Sequence, residues 1–191
     1  SNSLTPSRDD ANQAVTASVS DALRLGCSAI GFTIYPGSTY THDMIEELRE
    51  LSEEAKSCGL ATVVWSYVRG NMSKEGEGGI DTIAYGAHMA CLLGAHIVKV
   101  KLPSAHLEKE LAKKEYLEHK VDVSTMKARV RHVVETCFQG RRLIVFSGGD
   151  AKDLEGVYDD ARAIRDGGGN GSIIGRNAFR RPRAEAMMML D

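Results

Sequence analysis

Two lysines in the stretch "GAHIVKVKLP", Lys99 and Lys101, are the residues of this sequence best suited to chemistry. They lie two residues apart in an apolar run typical of a buried β-strand. Because side chains alternate along a strand, both amines point to one face while Val98 and Val100 point to the other. Lysine is rarely buried without a partner or a task. The pair therefore indicates either a reactive amine inside a fold or an amphipathic edge strand with solvated lysines.

A desolvated amine beside a second ammonium meets the requirement for Schiff-base catalysis. Burial and a neighbouring positive charge both disfavour the charged form, and they lower a lysine pKa from about 10.4 toward neutrality. A neutral amine can attack a carbonyl. Tyr67, at the end of the preceding predicted strand, could move the protons that such a reaction requires.

Glycine clusters end the last two predicted strands, in "FSGGD" and "IIGRN". Backbone amides, a following helix N-terminus and an arginine together suit a phosphate group, and in (β/α)8 barrels such a site commonly follows strands seven and eight. We expect a phosphate cradle there, with tight turns and a solvated arginine as the alternative. Its candidate residues are Ser147, Gly148, Gly149, Gly175 and Arg176.

Other motifs give weaker signals. Pro36 and Gly37 of "YPGS" suit a tight turn without any function, and Trp65 suits either a site or core packing. The six histidines form no HxH or HExxH pattern, so we expect no metal. Neither GxGxxG after a first strand nor GxxxxGK[ST] occurs, and we expect no cofactor.

Composition favours a globular protein with small-molecule partners or copies of itself. The 191 residues are 42% hydrophobic and 26% charged, with a formal net charge of -2, so nothing favours nucleic acid. No run approaches the roughly 20 apolar residues of a membrane span, and the opening residues lack the apolar core of a secretory signal. We expect a cytoplasmic protein whose four cysteines are reduced core thiols: Cys27, Cys58, Cys91 and Cys137.

One pattern recurs five times along the chain: an amphipathic helix, a glycine-rich stop and a short apolar strand. Strands that alternate with helices pair in parallel, either in a doubly wound sheet or in part of a (β/α)8 barrel. We expect residues 1–191 to form a single domain, the C-terminal five-eighths of such a barrel, with the N-terminal strands missing from this sequence.

Helix boundaries follow from capping residues and apolar spacing. We expect Thr41 to cap one helix and Gly59 to end it, and Ser124 to cap another. The lysine- and glutamate-rich stretch "HLEKELAKKEYLEHK" suits a solvated helix. Three predicted buried faces are Ile45, Leu48, Leu51 and Ala55; Met126, Val130, Val133 and Cys137; and Leu154, Val157, Ala161 and Ile164.

Five motifs in order, "AIGFTIYPGS", "TVVWSYVRG", "GAHIVKVK", "FSGGDAKD" and "GSIIGRNAFRRP", resemble the archaeal-type, DhnA-like class I fructose-bisphosphate aldolases. The resemblance runs from about Ala17 to the C-terminus. It implies a barrel that reversibly cleaves fructose 1,6-bisphosphate to dihydroxyacetone phosphate and glyceraldehyde 3-phosphate without a metal. The family tends to form large rings of barrels, so the resemblance also implies a homo-oligomer.

The resemblance assigns roles residue by residue. Lys99, the first lysine of the pair, matches the Schiff-base lysine, and Tyr67 matches the proton donor and acceptor. Trp65 matches a tryptophan that lines the substrate pocket. Lys101 is then expected to lower the pKa of Lys99 and to contact substrate, while the glycine clusters match the places where the family holds a phosphate.

The sequence departs from the family pattern at one position, and three other functions are compatible with its motifs. Members of the family carry a catalytic aspartate on the first barrel strand, and nothing in this sequence supplies it. A related lysine-dependent aldolase or transaldolase-type enzyme acting on another phosphorylated sugar would have the same motifs. A non-catalytic sugar-phosphate-binding barrel and a zinc-dependent aldolase are the other two readings.

Overall fold

Five parallel strands form one sheet in the computed structural model, which describes residues 11–149 and 151–190. The strands are β1 (Ala29–Ile34), β2 (Ala61–Ser66), β3 (Ile97–Lys101), β4 (Leu143–Ser147) and β5 (Ser172–Ile173). Each strand pairs with its neighbours in the chain, in the order β1-β2-β3-β4-β5. A doubly wound sheet reverses its order at a switch point, whereas consecutive barrel strands keep chain order. The order therefore confirms the barrel interpretation.

Helices occupy the connections between the strands. They are α1 (Val19–Arg24), α2 (Thr41–Ser57), α3 (Ile80–Leu92), α4 (Glu110–Glu118), α5 (Met126–Thr136), α6 (Leu154–Asp166), α7 (Arg176–Phe179) and α8 (Arg183–Leu190), with a 3-10 turn at Gly76–Gly78. Helix α2 packs on β1 and β2, and α3 packs on β2 and β3. Among the described residues, no helix has both the length and the apolar character that a membrane crossing requires.

The two faces of the sheet differ in burial. Val64, Val98, Ile144 and Phe146 are fully buried on the face that the helices cover. Burial of such a side chain stabilises the fold by about 1.5–3 kcal/mol relative to exposure, so these residues fix which face turns outward. Most of the alternate residues, Lys99 among them, are half-buried on the inner face, while Gly31 and Leu143 are exposed. Alternation along the strands therefore predicts correctly that the valines pack against helices and the lysines point inward.

Strand register places the inner-face residues in levels. Trp65 pairs with Thr33 on β1 and with Lys99 on β3. Lys101 lies two residues closer to the carboxyl end of the sheet and pairs with Ser147 on β4. Trp65 and Lys99 are therefore neighbours at one level, and Lys101 lies at the next level toward the mouth.

Two predicted helix caps are wrong by one residue. The N-cap of α2 is Tyr40, whose side chain makes no capping hydrogen bond. Thr41 is the first residue of the helix, and its hydroxyl donates to the Ser38 carbonyl at 2.6 Å. The cap of α5 is Thr125, whose hydroxyl accepts a hydrogen bond from the backbone of Ala128 at 3.1 Å. Ser124 donates its hydroxyl to Asp122.

Burial confirms most of the predicted helix faces, with Ile45, Met126 and Leu154 half-buried and one position exposed. Leu48, Leu51 and Ala55 are buried on α2, and Val130 and Val133 on α5. Ala161 of α6 is exposed, so that apolar face is narrower than its spacing predicts. The four cysteines are free, but only Cys91 and Cys137 are buried, and the prediction of core thiols is wrong for Cys27 and Cys58.

The stop of α2 and the solvated helix are confirmed. Gly59 follows α2 with φ +77°, the left-handed conformation in which glycine lacks the steric penalty of other residues. Helix α4 has no buried residue. Its sequence therefore predicts both its conformation and its exposure.

Candidate active site

A cavity of about 590 Å3 opens at the carboxyl ends of β3, β4 and β5. Its volume falls in the range of about 300–1,000 Å3 that is usual for small-molecule sites. Eight of the nine predicted site residues line it: Tyr67, Lys99, Lys101, Ser147, Gly148, Gly149, Gly175 and Arg176. Parallel strands bring together residues that are far apart in the chain, which is why one cavity collects them.

Lys99 and Tyr67 form the centre of this cavity. The Lys99 Nζ lies 5.8 Å from the centroid of the Tyr67 ring, within the range of a cation–π contact. Tyr67 follows β2 directly, and its backbone N–H donates to the Ile34 carbonyl at 3.0 Å, which extends the β1–β2 pairing beyond the strand. The phenol is therefore held by the sheet at the side of the amine.

Trp65 lies outside the set of cavity-lining residues. Its pairing with Lys99 places it on the inner face at the same level, next to Gly31 of β1. The side chain is half-buried. The structure thus places the tryptophan on the neighbouring strand at the level of the lysine, with its ring toward β1 and outside the cavity lining.

Lys101 has a carboxylate partner that the sequence analysis missed. Its Nζ lies 3.9 Å from Oε2 of Glu77, whose side chain is 13% exposed. Opposite charges at this distance attract each other. Glu77 belongs to the 3-10 turn before α3, and no spacing pattern connects that loop with β3.

A second carboxylate fixes the loop that carries Glu77. Glu108 accepts hydrogen bonds from the backbone N–H of Ser73 at 2.8 Å and from its hydroxyl at 2.7 Å, and His106 Nε2 lies 3.0 Å away. The bond from the Ser73 backbone, with those from His106 and the Ser73 hydroxyl, lowers the pKa of Glu108 from 4.5 to about 2. The β2–α3 loop is therefore tied to the loop that follows β3.

The predicted phosphate cradle differs from expectation in one respect. The N–H of Gly148 donates to the Ile173 carbonyl at 3.1 Å, so this amide serves the sheet and is not free for an anion. Gly149 has φ +65°, a left-handed conformation that favours glycine. Asp150 of "FSGGD" lies outside the described residues.

Arg176 and Asn177 hold the two glycine turns side by side. Arg176 donates to the Gly149 carbonyl at 3.0 Å, and Asn177 Nδ2 donates to the Gly148 carbonyl at 2.8 Å. Asn177 is 3% exposed, and its Oδ1 also accepts the N–H of Lys152. The motif "IIGRN" predicted a role for Arg176 but none for Asn177, although the two are adjacent.

Arg69 also lines the cavity and was missed. Its guanidinium lies 5.4 Å over the ring of Tyr35. Its Nε is buried and has no hydrogen-bond partner among the described residues. The same alternation that links Trp65 and Tyr67 extends to Arg69 and could have indicated it.

Within residues 11–149 and 151–190, no three His, Cys, Asp or Glu side chains lie close enough together to hold a metal ion. The groups that converge on the cavity are amines, guanidinium groups, a phenol and a hydroxyl. These are groups that bind anions and transfer protons.

The sequence is similar to curated aldolases from archaea. It is 32% identical over 177 residues to the class 1 fructose-bisphosphate aldolase of Halobacterium salinarum, covering 93% of this chain and 58% of that protein. It is also 32% identical over 166 residues to the fructose-bisphosphate aldolase/6-deoxy-5-ketofructose 1-phosphate synthase of Methanocaldococcus jannaschii, covering 85% and 46%. The chain thus spans about half the length of these relatives.

Solved structures show the same similarity. An archaeal fructose-1,6-bisphosphate aldolase, described with its catalytic lysine covalently bound to the carbinolamine intermediate of the substrate, superposes with a TM-score of 0.77 at 26% identity, covering 97% of this chain and 64% of that one. The aldolase of Slackia heliotrinireducens gives 0.79 at 27% identity, covering 97% and 55%. The model of the DeoC/LacD family aldolases matches residues 1–181, and the chain belongs to that family.

Proposed function

We propose that the protein is a class I fructose-bisphosphate aldolase in which Lys99 forms the imine with substrate. The observation that carries the proposal is the Lys99 amine beside the Tyr67 ring in a cavity that Lys101 and Arg176 also line. The names of the relatives, and the lysine–carbinolamine adduct named for one similar structure, support this chemistry.

In the proposed reaction the neutral Lys99 amine adds to the C2 carbonyl of fructose 1,6-bisphosphate and forms a carbinolamine. Loss of water gives an iminium ion, which can accept the electron pair of the C3–C4 bond. Tyr67, which becomes a phenolate by giving its proton to the departing water, removes the proton of the C4 hydroxyl as that bond breaks, and glyceraldehyde 3-phosphate leaves. The enamine takes a proton at C3, and water then releases dihydroxyacetone phosphate and free Lys99.

Three cations at the cavity suit a substrate with two phosphates. Arg176 lies at the glycine turns of β4 and β5, Lys101 lies between them and Lys99, and Arg69 lies on the β2 side. Because charge-assisted hydrogen bonds to phosphate are the strongest that side chains make, these groups can hold the substrate at both ends. Glu77 lies 3.9 Å from the Lys101 amine and can orient it.

A second candidate is a lysine-dependent aldolase or synthase that uses another phosphorylated sugar. The M. jannaschii relative carries two named activities, which favours a site able to accept more than one sugar phosphate. The same lysine, tyrosine and cradle would serve both reactions. The substrate alone distinguishes the two candidates.

Cytoplasmic location and self-association are further parts of this proposal. Two exposed free thiols, Cys27 and Cys58, are typical of a reducing compartment. Exposed large apolar side chains, among them Leu111 and Leu117 on α4, offer surface for contact with other copies. Size measurement in solution with multi-angle light scattering tests the association.

A substrate panel tests the function. We expect the full-length protein to cleave fructose 1,6-bisphosphate, to retain this activity in EDTA and to lose it in Lys99→Arg. Cleavage of another ketose phosphate with no activity on fructose 1,6-bisphosphate would favour the second candidate. Binding of sugar phosphates without any cleavage would overturn both.

A further inference from the structure

Gly31, in the middle of β1, lies directly beside the ring of Trp65. A Cβ built on Gly31 would lie 2.3 Å from Cζ3 and 2.7 Å from Cη2 of the indole, closer than real Cβ contacts. Gly31 has the same strand alternation as Thr33, which pairs with Trp65. The missing side chain therefore leaves a slot on the inner face, and the six-membered ring of the indole fills it.

The backbone does not explain this glycine. Gly31 is absent from the glycines with positive φ, so its conformation is open to any residue. A glycine inside a strand weakens the strand, because it loses more entropy on folding and has no side chain to pack. What the position gains is the close approach of the ring.

The space at Gly31 also keeps the indole away from β3. Trp65 stands between β1 and β3, with Thr33 on one side and Lys99 on the other. With its ring over Gly31, the indole leans toward β1. The Lys99 amine on the opposite side faces the cavity with Tyr67.

We propose that Gly31 is a positioning residue. Because it has no side chain, the Trp65 indole can lie over β1, clear of the Lys99 amine. This inference rests on the proposed function, in which that amine must reach a substrate carbonyl. A methyl group at position 31 displaces the rigid indole toward β3, where Lys99 is its paired neighbour. The displaced ring then crowds the nucleophile.

Trp65 provides a direct spectroscopic readout, since it is the single tryptophan of the sequence. Subtraction of the Trp65→Phe spectrum isolates its emission in the full-length protein. We expect Gly31→Ala to shift the emission maximum and to change quenching by acrylamide, without any substrate present. An emission maximum and acrylamide quenching equal to those of the wild type would show that Gly31 does not determine the position of the Trp65 ring.

Imine formation provides the second readout. With dihydroxyacetone phosphate and borohydride, we expect Gly31→Ala to trap Lys99 at least tenfold more slowly than wild type, while Thr33→Ala, on the same face of β1, traps normally. In a Trp65→Ala background the added Gly31→Ala change should have no further effect, because the clashing ring is gone.

The double variant also controls for folding, since it removes the clash that could destabilise Gly31→Ala. Equal slowing by Gly31→Ala with and without Trp65 would contradict the positioning role. A wild-type protein that forms no imine would overturn the proposed function. The Trp65 fluorescence of Gly31→Ala would still show whether Gly31 positions the indole.

Discussion

Lys99 and Lys101 occupy one face of one strand but have different neighbours. Lys99 lies against the Tyr67 ring, whereas Lys101 lies 3.9 Å from the Glu77 carboxylate. The arrangement separates a candidate nucleophile from a candidate anion-binding group, although both are lysines on the same strand.

Replacement of Tyr67 by phenylalanine removes the hydroxyl but keeps the ring beside Lys99. We expect Tyr67→Phe to lower kcat for cleavage by about 10²–10⁴-fold, the usual contribution of a general acid or base. Because the lysine is intact, borohydride should still trap dihydroxyacetone phosphate on it, but more slowly, since Tyr67 also supplies a proton for imine formation. A stopped-flow cleavage assay checks this, and wild-type kcat in Tyr67→Phe would exclude the tyrosine from proton transfer.

At the scale of elements, hydrogen bonds between loops and helix caps position the site. The β2–α3 loop places Glu77, and Glu108 holds that loop through the backbone and hydroxyl of Ser73. Helix α5, which leads into β4, begins at the Thr125 cap. The Ser73–Glu108 bonds lie outside the cavity, and they hold the loop that places Glu77 beside Lys101.

Stability should depend on the ionisation of Glu108. Its pKa falls from 4.5 to about 2 on folding, so its contribution is fully present above about pH 4.5 and is lost as pH falls toward 2. We expect the urea midpoint of Glu108→Gln to be lower than that of the wild type at neutral pH and the two midpoints to converge in acid. A difference between the two midpoints that stays the same from pH 6 to pH 2.5 would show that the ionisation of Glu108 does not contribute to stability.

The cap of α5 distinguishes two adjacent residues. Thr125→Ala should destabilise the protein by about 1 kcal/mol, because an N-cap hydroxyl satisfies a backbone N–H that otherwise lacks a partner. Ser124→Ala is the matched control and should cost less. Chemical denaturation measures both, and a larger loss in Ser124→Ala would place the cap where the sequence alone suggests it.

Local patterns predicted the parts of this fold that depend on local chemistry. Alternation along β3 gave the faces of Val98 and Lys99, and Gly59 gave the end of α2. The prediction for the cap of α5 was wrong by one residue because serine and threonine are adjacent and both are favoured N-cap residues. Glu77 and the amide of Gly148 could not be assigned, because their partners come from other βα units.

At the scale of the molecule, the helix-covered side of the sheet carries the core and the inner side carries the chemistry. Phe146 on β4 is fully buried on the covered side, one residue before Ser147 of the cavity. Phe146→Ala should therefore destabilise the protein by about 3–5 kcal/mol. Thermal unfolding measures the loss, and a change below 1 kcal/mol would contradict a packed core behind the site.

Borohydride trapping is the most direct test of whether Lys99 forms the imine with substrate. The full-length protein is incubated with dihydroxyacetone phosphate and reduced, and the modified peptide is identified by mass spectrometry, with Lys99→Arg and Lys101→Arg treated in parallel. If Lys99 is the nucleophile, we expect a reduced adduct on Lys99 in the wild type and in Lys101→Arg, and none in Lys99→Arg. An adduct on Lys101, or no adduct at all, would contradict it.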